Sequence, residues 1–158
     1  MAGLKPRTFV WVISNRLAVC ERIGGHGFQH RRVRREEEIA WLREQGVNTV
    51  VSLLAGNQNL ANYQAAGFRT YHRPLVGEFE PEDVREVFVI LQQALSDPSA
   101  VVLVHRDLID DVVAGVLAGY LMYSRLVDDP IVAVAAIQQI IGRPVGPEGR
   151  RLVPTRTS

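Results

Sequence analysis

The sequence predicts an α/β fold with a central, mostly parallel sheet flanked by helices. Three observations predict it. Val47 to Leu54 (VNTVVSLL) and Ala100 to Val104 (AVVLV) are continuous apolar runs rich in β-branched residues, the pattern of strands buried on both faces. Pro81 opens a clearly amphipathic stretch, with Val84, Val87, Phe88, Leu91, Ala94 and Leu95 at helical spacing. Strand and helix patterns alternate along the chain, which calls for parallel neighbours joined by helical crossovers.

The elements follow in order. Thr8 to Ile13 (TFVWVI) reads as a strand and Arg16 to Val19 as a second, short one. Gly24 to Arg35 is rich in glycine and arginine and reads as a loop. Glu36 to Gln45 reads as a helix with Ile39 and Leu42 on one face, stopped by Gly46. The strand Val47 to Leu54 is followed by a short helix, Asn59 to Ala66, stopped by Gly67, and a strand, Phe68 to Tyr71. The amphipathic helix ends at Asp97-Pro98, and Ala100 to Val104 is the next strand. A polar loop, His105 to Asp111, precedes the almost wholly apolar helix Val112 to Met122, which belongs in a core. Asp128-Asp129-Pro130 starts a last helix, with acids at its positive end, and Gly142 closes it. Residues 1–142 form the expected domain; 143–158, rich in Pro and Arg, form a tail expected to fray.

Composition narrows the class. The 158 residues carry a formal net charge of +1, with 47% apolar and 22% charged side chains. That is ordinary globular composition, and one chain of this size buries roughly 70% of its unfolded surface. The near-neutral charge gives no electrostatic case for nucleic acid or membrane as a partner. A single cysteine excludes an internal disulfide and a cysteine-based metal site. The first ten residues lack an apolar signal core, and no apolar run is long enough to span a bilayer. A cytoplasmic protein without cofactor is the expectation.

In parallel sheets, ligands bind beyond the carboxyl ends of the strands, so the loop His105 to Asp111 is the first place to look for chemistry. A strand ending VLVH, a seven-residue loop and a buried helix together resemble the cysteine-dependent protein phosphatases, in particular the dual-specificity branch. Phe9 to Gly24 (FVWVISNRLAVCERIG) is similar to that family's opening segment, Trp41 to Leu54 (WLREQGVNTVVSLL) to its helix-and-strand unit, and Tyr71 to Phe79 (YHRPLVGEF) to the strand and loop of its general acid. The resemblance implies a loop of the form Cys-x-x-Gly-x-x-Arg. Here the nucleophile position holds Arg106, the glycine position Ile109 and the phosphate-gripping arginine position Val112.

Each replacement removes a requirement of the chemistry. A thiolate attacks a phosphoryl group at neutral pH; a guanidinium does not ionise to a nucleophile. A glycine lets backbone N–H groups close on an oxyanion, whereas β-branched Ile109 tolerates positive φ poorly. Val112 donates nothing where a bidentate fork is needed. Asp107, Asp110 and Asp111 add three carboxylates, each repelling a dianion at about 4 Å by on the order of 1–4 kcal/mol. The expected protein is therefore an inactive phosphatase relative that binds or regulates a protein partner. A hydrolase with repurposed chemistry at Glu78, the loop aspartates and His105 is the alternative. A homo-oligomer using Val112 to Met122 as its interface is another.

Other residues have simpler readings. Cys20 reads as a small buried hydrophobe, and Glu78, near the general-acid position, as a solvated loop acid. Asp107, Asp110 and Asp111 could take a hard cation, but helix capping accounts for acids there. His105-Arg106-Asp107-Leu108 spells the protein-kinase catalytic tetrapeptide without that family's Gly-rich loop, strand lysine or DFG. The basic run His30 to Arg35 is followed at once by Glu36, Glu37 and Glu38 and reads as a solvated lead into a helix. Gly24-Gly25-His26-Gly27 lacks the ending of a phosphate loop. His26, His30, His72 and His105 have no metal-ligand spacing, and the resemblance makes His105 a structural residue bonding loop backbone.

Overall fold

The computed structural model describes residues 3–25, 31–56, 59–78 and 80–154, with the side chain of Arg31 left aside. Five strands form one sheet in the order β1-β2-β5-β3-β4: β1 (Val10–Ile13), β2 (Leu17–Cys20), β3 (Thr49–Ser52), β4 (Arg69–His72) and β5 (Val102–His105). Only the β1–β2 pair is antiparallel; β2–β5, β5–β3 and β3–β4 are parallel. The α/β class and the mostly parallel sheet are thus as expected. β5 lies at the centre, and β2, β3 and β5 are fully buried, which is why their sequences read as unbroken apolar runs.

The period-2 alternation of the strands divides the core. Leu17, Val51, Val102 and Val104 pack with Val84, Val87, Phe88 and Leu91 of α3 (Pro81–Leu95) and with Val116 and Tyr120 of α4 (Asp111–Tyr123). On the other face, Ala18, Cys20, Val50 and Leu103 pack with Ile39 and Leu42 of α1 (Arg31–Glu44) and Tyr63 of α2 (Leu60–Ala65). The helix α5 (Pro130–Ile141) covers α4 through Ala133, Val134 and Ile137.

α4 is buried from Val113 through Met122 because it lies between the sheet, α3 and α5. It is core, so it offers no interface for a homo-oligomer. Asp110 caps α4 by accepting from the Val113 N–H at 3.1 Å, and Asp129 caps α5 by accepting from the Ile131 N–H at 2.8 Å. Gly142 ends α5 at φ +74°, the left-handed conformation glycine adopts without strain.

Two expectations need correction. The basic run is not loop up to Arg35: α1 starts at Arg31. Arg32 pairs with Glu36 and Arg34 with Glu38, each one turn along, and such pairs favour helix where apolar periodicity is weak. Nor is that acidic stretch wholly solvated, since Glu38 is buried between Arg34 Nε and the Gly24 N–H, both donors at 2.8 Å. The tail from Arg143 does not fray over its described part. It forms α6 (Pro147–Arg150) and buries Val145, Leu152 and Val153 against α4 and α3. His26, Gly27 and His30 lie outside the described residues.

Candidate functional site

The loop between β5 and α4 sits at the carboxyl end of the sheet, and its side chains are tied to one another and to their surroundings. Arg106 extends to the loop after β4, where its Nη2 and Nε donate to the Leu75 carbonyl oxygen at 2.9 and 3.3 Å. Its Nη1 donates to Asp110 Oδ2 at 2.7 Å. Asp110 therefore answers a guanidinium with one oxygen and the α4 N-terminus with the other.

The three aspartates are not gathered. Asp107 faces Arg22 at 3.8 Å. Asp111 accepts from the Gly146 N–H at 2.7 Å, the Gly149 N–H at 3.3 Å and Arg143 Nη2 at 3.5 Å. Among the described residues, no three His, Cys, Asp or Glu side chains stand together as a metal would need. This corrects the charge count made from the loop sequence alone. Three arginines, Arg22, Arg106 and Arg143, stand against three carboxylates, so the mouth is charge-balanced rather than acidic. Arg22 and Arg143 come from distant segments, which local sequence could not reveal.

Ile109 and Val112 lean on the core, with Ile109 beside the α5 cluster and Val112 beside the α3 cluster. Leu108 points outward and is 54% exposed. Beside the loop lies a cavity of about 440 Å³ lined by Val10, Glu21, Leu108, Ile109, Ile141 and Arg143, among others.

His105 is fully buried. Contrary to expectation it does not bond the loop backbone: its Nε2 stands 3.4 Å from the Tyr63 hydroxyl, and its Nδ1 has no partner among the described residues. Burial first, then the positive charges of Arg22 and His72, push its pKa down to about 3, so it is neutral at ordinary pH. Cys20 pairs with His105 across β2–β5, nearer the loop than its sequence distance suggests. Its thiol is sealed, and burial, with Glu38 and Glu21 adding, raises its pKa well above normal. Glu78 is exposed in the bend after Gly77. His72 donates from Nε2–H to the Leu54 carbonyl oxygen, 2.7 Å away. Glu78, the aspartates and His105 are thus turned to separate surroundings, and the structure does not bring them to one reacting point.

No family model matches the chain, and no curated protein matches it. Solved structures do. The kinase-associated phosphatase, in a form with its catalytic-site cysteine substituted by serine, superposes with a TM-score of 0.71 at 18% identity, over 92% of this chain and 91% of that one. The fold is that of the dual-specificity phosphatases. Tk-PTP in its active form follows at a TM-score of 0.70 and 16% identity, covering 90% of each chain. A single-residue variant of human DUSP28 gives 0.64 and 18%, covering 93% of this chain and 90% of that one. At these identities the likeness is one of fold. No helix of the described residues is long and apolar enough to cross a membrane.

Proposed function

We propose that the chain is a catalytically inactive protein of the dual-specificity phosphatase fold that works as a binding or regulatory module for a protein partner. One observation carries the reading. The side chain at the nucleophile position is Arg106, and its guanidinium is spent on the Leu75 carbonyl and Asp110. The one thiol of the chain, Cys20, is buried and held in its protonated form, so no thiolate is on hand to attack phosphorus. The partner meets the mouth of the loop, where Leu108 is exposed beside the cavity and the carboxylates are already matched by arginines.

The test is turnover of para-nitrophenyl phosphate by the purified chain, with Arg106→Ala and Cys20→Ser in parallel. All three preparations are expected to stay at the level of a protein-free control. Turnover by the parent that either substitution abolishes would overturn the inactive reading.

A further inference from the structure

A half-buried carboxylate stands at the loop mouth, outside the loop itself. Glu21 directly follows β2 and lines the cavity of about 440 Å³ together with Val10, Leu108, Ile109, Ile141 and Arg143, among others. Val10, Ile109 and Ile141 lean on the core between α4 and α5, so the apolar floor is firmly held. Leu108 is 54% exposed and adds apolar surface beside it. A cavity of this size has room for a large apolar side chain.

The charged groups around this floor differ in what they have left to offer. Arg143 donates from Nη1 to the Ile109 carbonyl oxygen at 3.1 Å, from Nε to the Pro144 carbonyl oxygen at 3.3 Å and from Nη2 to Asp111. Asp110 gives one oxygen to Arg106 and the other to the Val113 N–H. Among the described residues, Glu21 accepts only from the Thr8 hydroxyl, at 3.0 Å on Oε2. That hydroxyl is also 2.6 Å from the Arg7 carbonyl oxygen, so its single proton is shared. Glu21 Oε1 is left open. The carboxyl end of α5, at Ile141, adds partial negative charge on the same side. An unspent carboxylate above an apolar floor selects a cation carried beside an apolar group.

We propose that this cavity holds a segment of a partner protein in which a large apolar side chain is followed by lysine or arginine. The apolar side chain packs on Val10, Ile109 and Ile141 beside Leu108, and the cation meets Glu21 Oε1. A phosphorylated segment is disfavoured, because Arg143 is spent and Glu21 repels it. This occupant presupposes the binding role proposed above for the loop mouth.

Nuclear magnetic resonance titration of the full chain tests it with acetyl-Phe-Arg-amide, acetyl-Phe-Glu-amide and acetyl-Ala-Arg-amide. Saturable shifts at Val10, Leu108, Ile109 and Ile141 are expected with the first. The second should bind about fivefold or more weakly, and the third about tenfold or more weakly. Glu21→Gln should bring the two Phe peptides within about twofold of each other, and Leu108→Ser should weaken both alike. Should either variant fail to fold, the three peptides on the parent chain still decide. Equal binding of the two Phe peptides by the parent would leave a plain apolar pocket and overturn the cationic partner. No saturable shift at these residues, or shifts that follow the chain's own concentration as a second copy would give, would overturn the site. Each of these results leaves turnover of para-nitrophenyl phosphate untouched, so the inactive reading stands or falls on its own assay.

Discussion

Arg106 joins the loop before α4 to the loop after β4 by donating to the Leu75 carbonyl oxygen at 2.9 Å. Leu75 is itself buried, so the bond ties the loop before α4 to a fixed point of the core. Arg106→Ala leaves that carbonyl without its donor and Asp110 without its ion pair. The expected loss is about 1–3 kcal/mol of stability, read as a fall of several degrees in the thermal midpoint. Arg106→Cys should lose a similar amount and still show no turnover of para-nitrophenyl phosphate, because Ile109 and Val112 supply neither the close backbone approach nor the fork. Turnover by the single Arg106→Cys variant would show that the rest of the loop is competent.

Cys20 stands at the β2 end of the carboxyl-end row formed by β2, β5 and β3, beside His105 at its middle. Burial denies it both solvent and ionisation. A thiol reagent should therefore modify the native chain at least ~100-fold more slowly than the denatured chain, since reaction waits on opening of the core. Rapid modification of folded protein at pH 7, followed spectrophotometrically, would contradict the burial of this strand end.

His105 gives the fold an acid sensitivity whose sign is fixed. Its folded pKa of about 3 lies below the ordinary value of 6.5, so the unfolded chain binds the proton more readily. Stability from this residue is complete above about pH 6.5 and is lost as pH falls towards 3, by on the order of 4–5 kcal/mol in the limit. Denaturant midpoints should fall between pH 7 and pH 4, and His105→Gln should flatten that slope even if it lowers stability at pH 7. An unchanged slope in the variant would assign the acid sensitivity to other groups.

The fold was legible because its signals are local. Unbroken β-branched runs mark β3 and β5, and the spacing of Val84, Val87, Phe88 and Leu91 marks α3. The replaced loop positions were equally legible, since Arg106, Ile109 and Val112 are read directly from the sequence. What escaped was pairing over distance. Nothing near Asp107 or Asp111 in the chain announces Arg22 or Arg143 as partners, so the loop looked acidic until the structure supplied both arginines. The start of α1 escaped for another reason: Arg31 to Arg35 lacks an apolar stripe, and helix there rests on charge pairs across one turn. The tail misled because Pro, Gly and Arg dominate its composition, while Val145, Leu152 and Val153 are its buried apolar side chains among the described residues.

That packing gives the last prediction. Asp111, the first residue of α4, receives the Gly146 and Gly149 N–H groups and Arg143, so its carboxylate holds the tail where the helix begins. Gly149 lies so close to α4 that a Cβ there would strike the Asp111 carbonyl, and a Cβ on Gly115 would strike the Gly149 backbone. Asp111→Ala should cost about 1.5–3 kcal/mol, the range for hydrogen bonds to a charged group. Gly149→Ala should cost about 1–3 kcal/mol through overpacking. A chain ended at Gly142 should lose more than either, because Val145, Leu152 and Val153 each contribute about 1.5–3 kcal/mol when buried. Urea midpoints of the three variants give the order directly. If the chain ended at Gly142 matches the parent in stability, the tail is an appendage after all and the core closes without it.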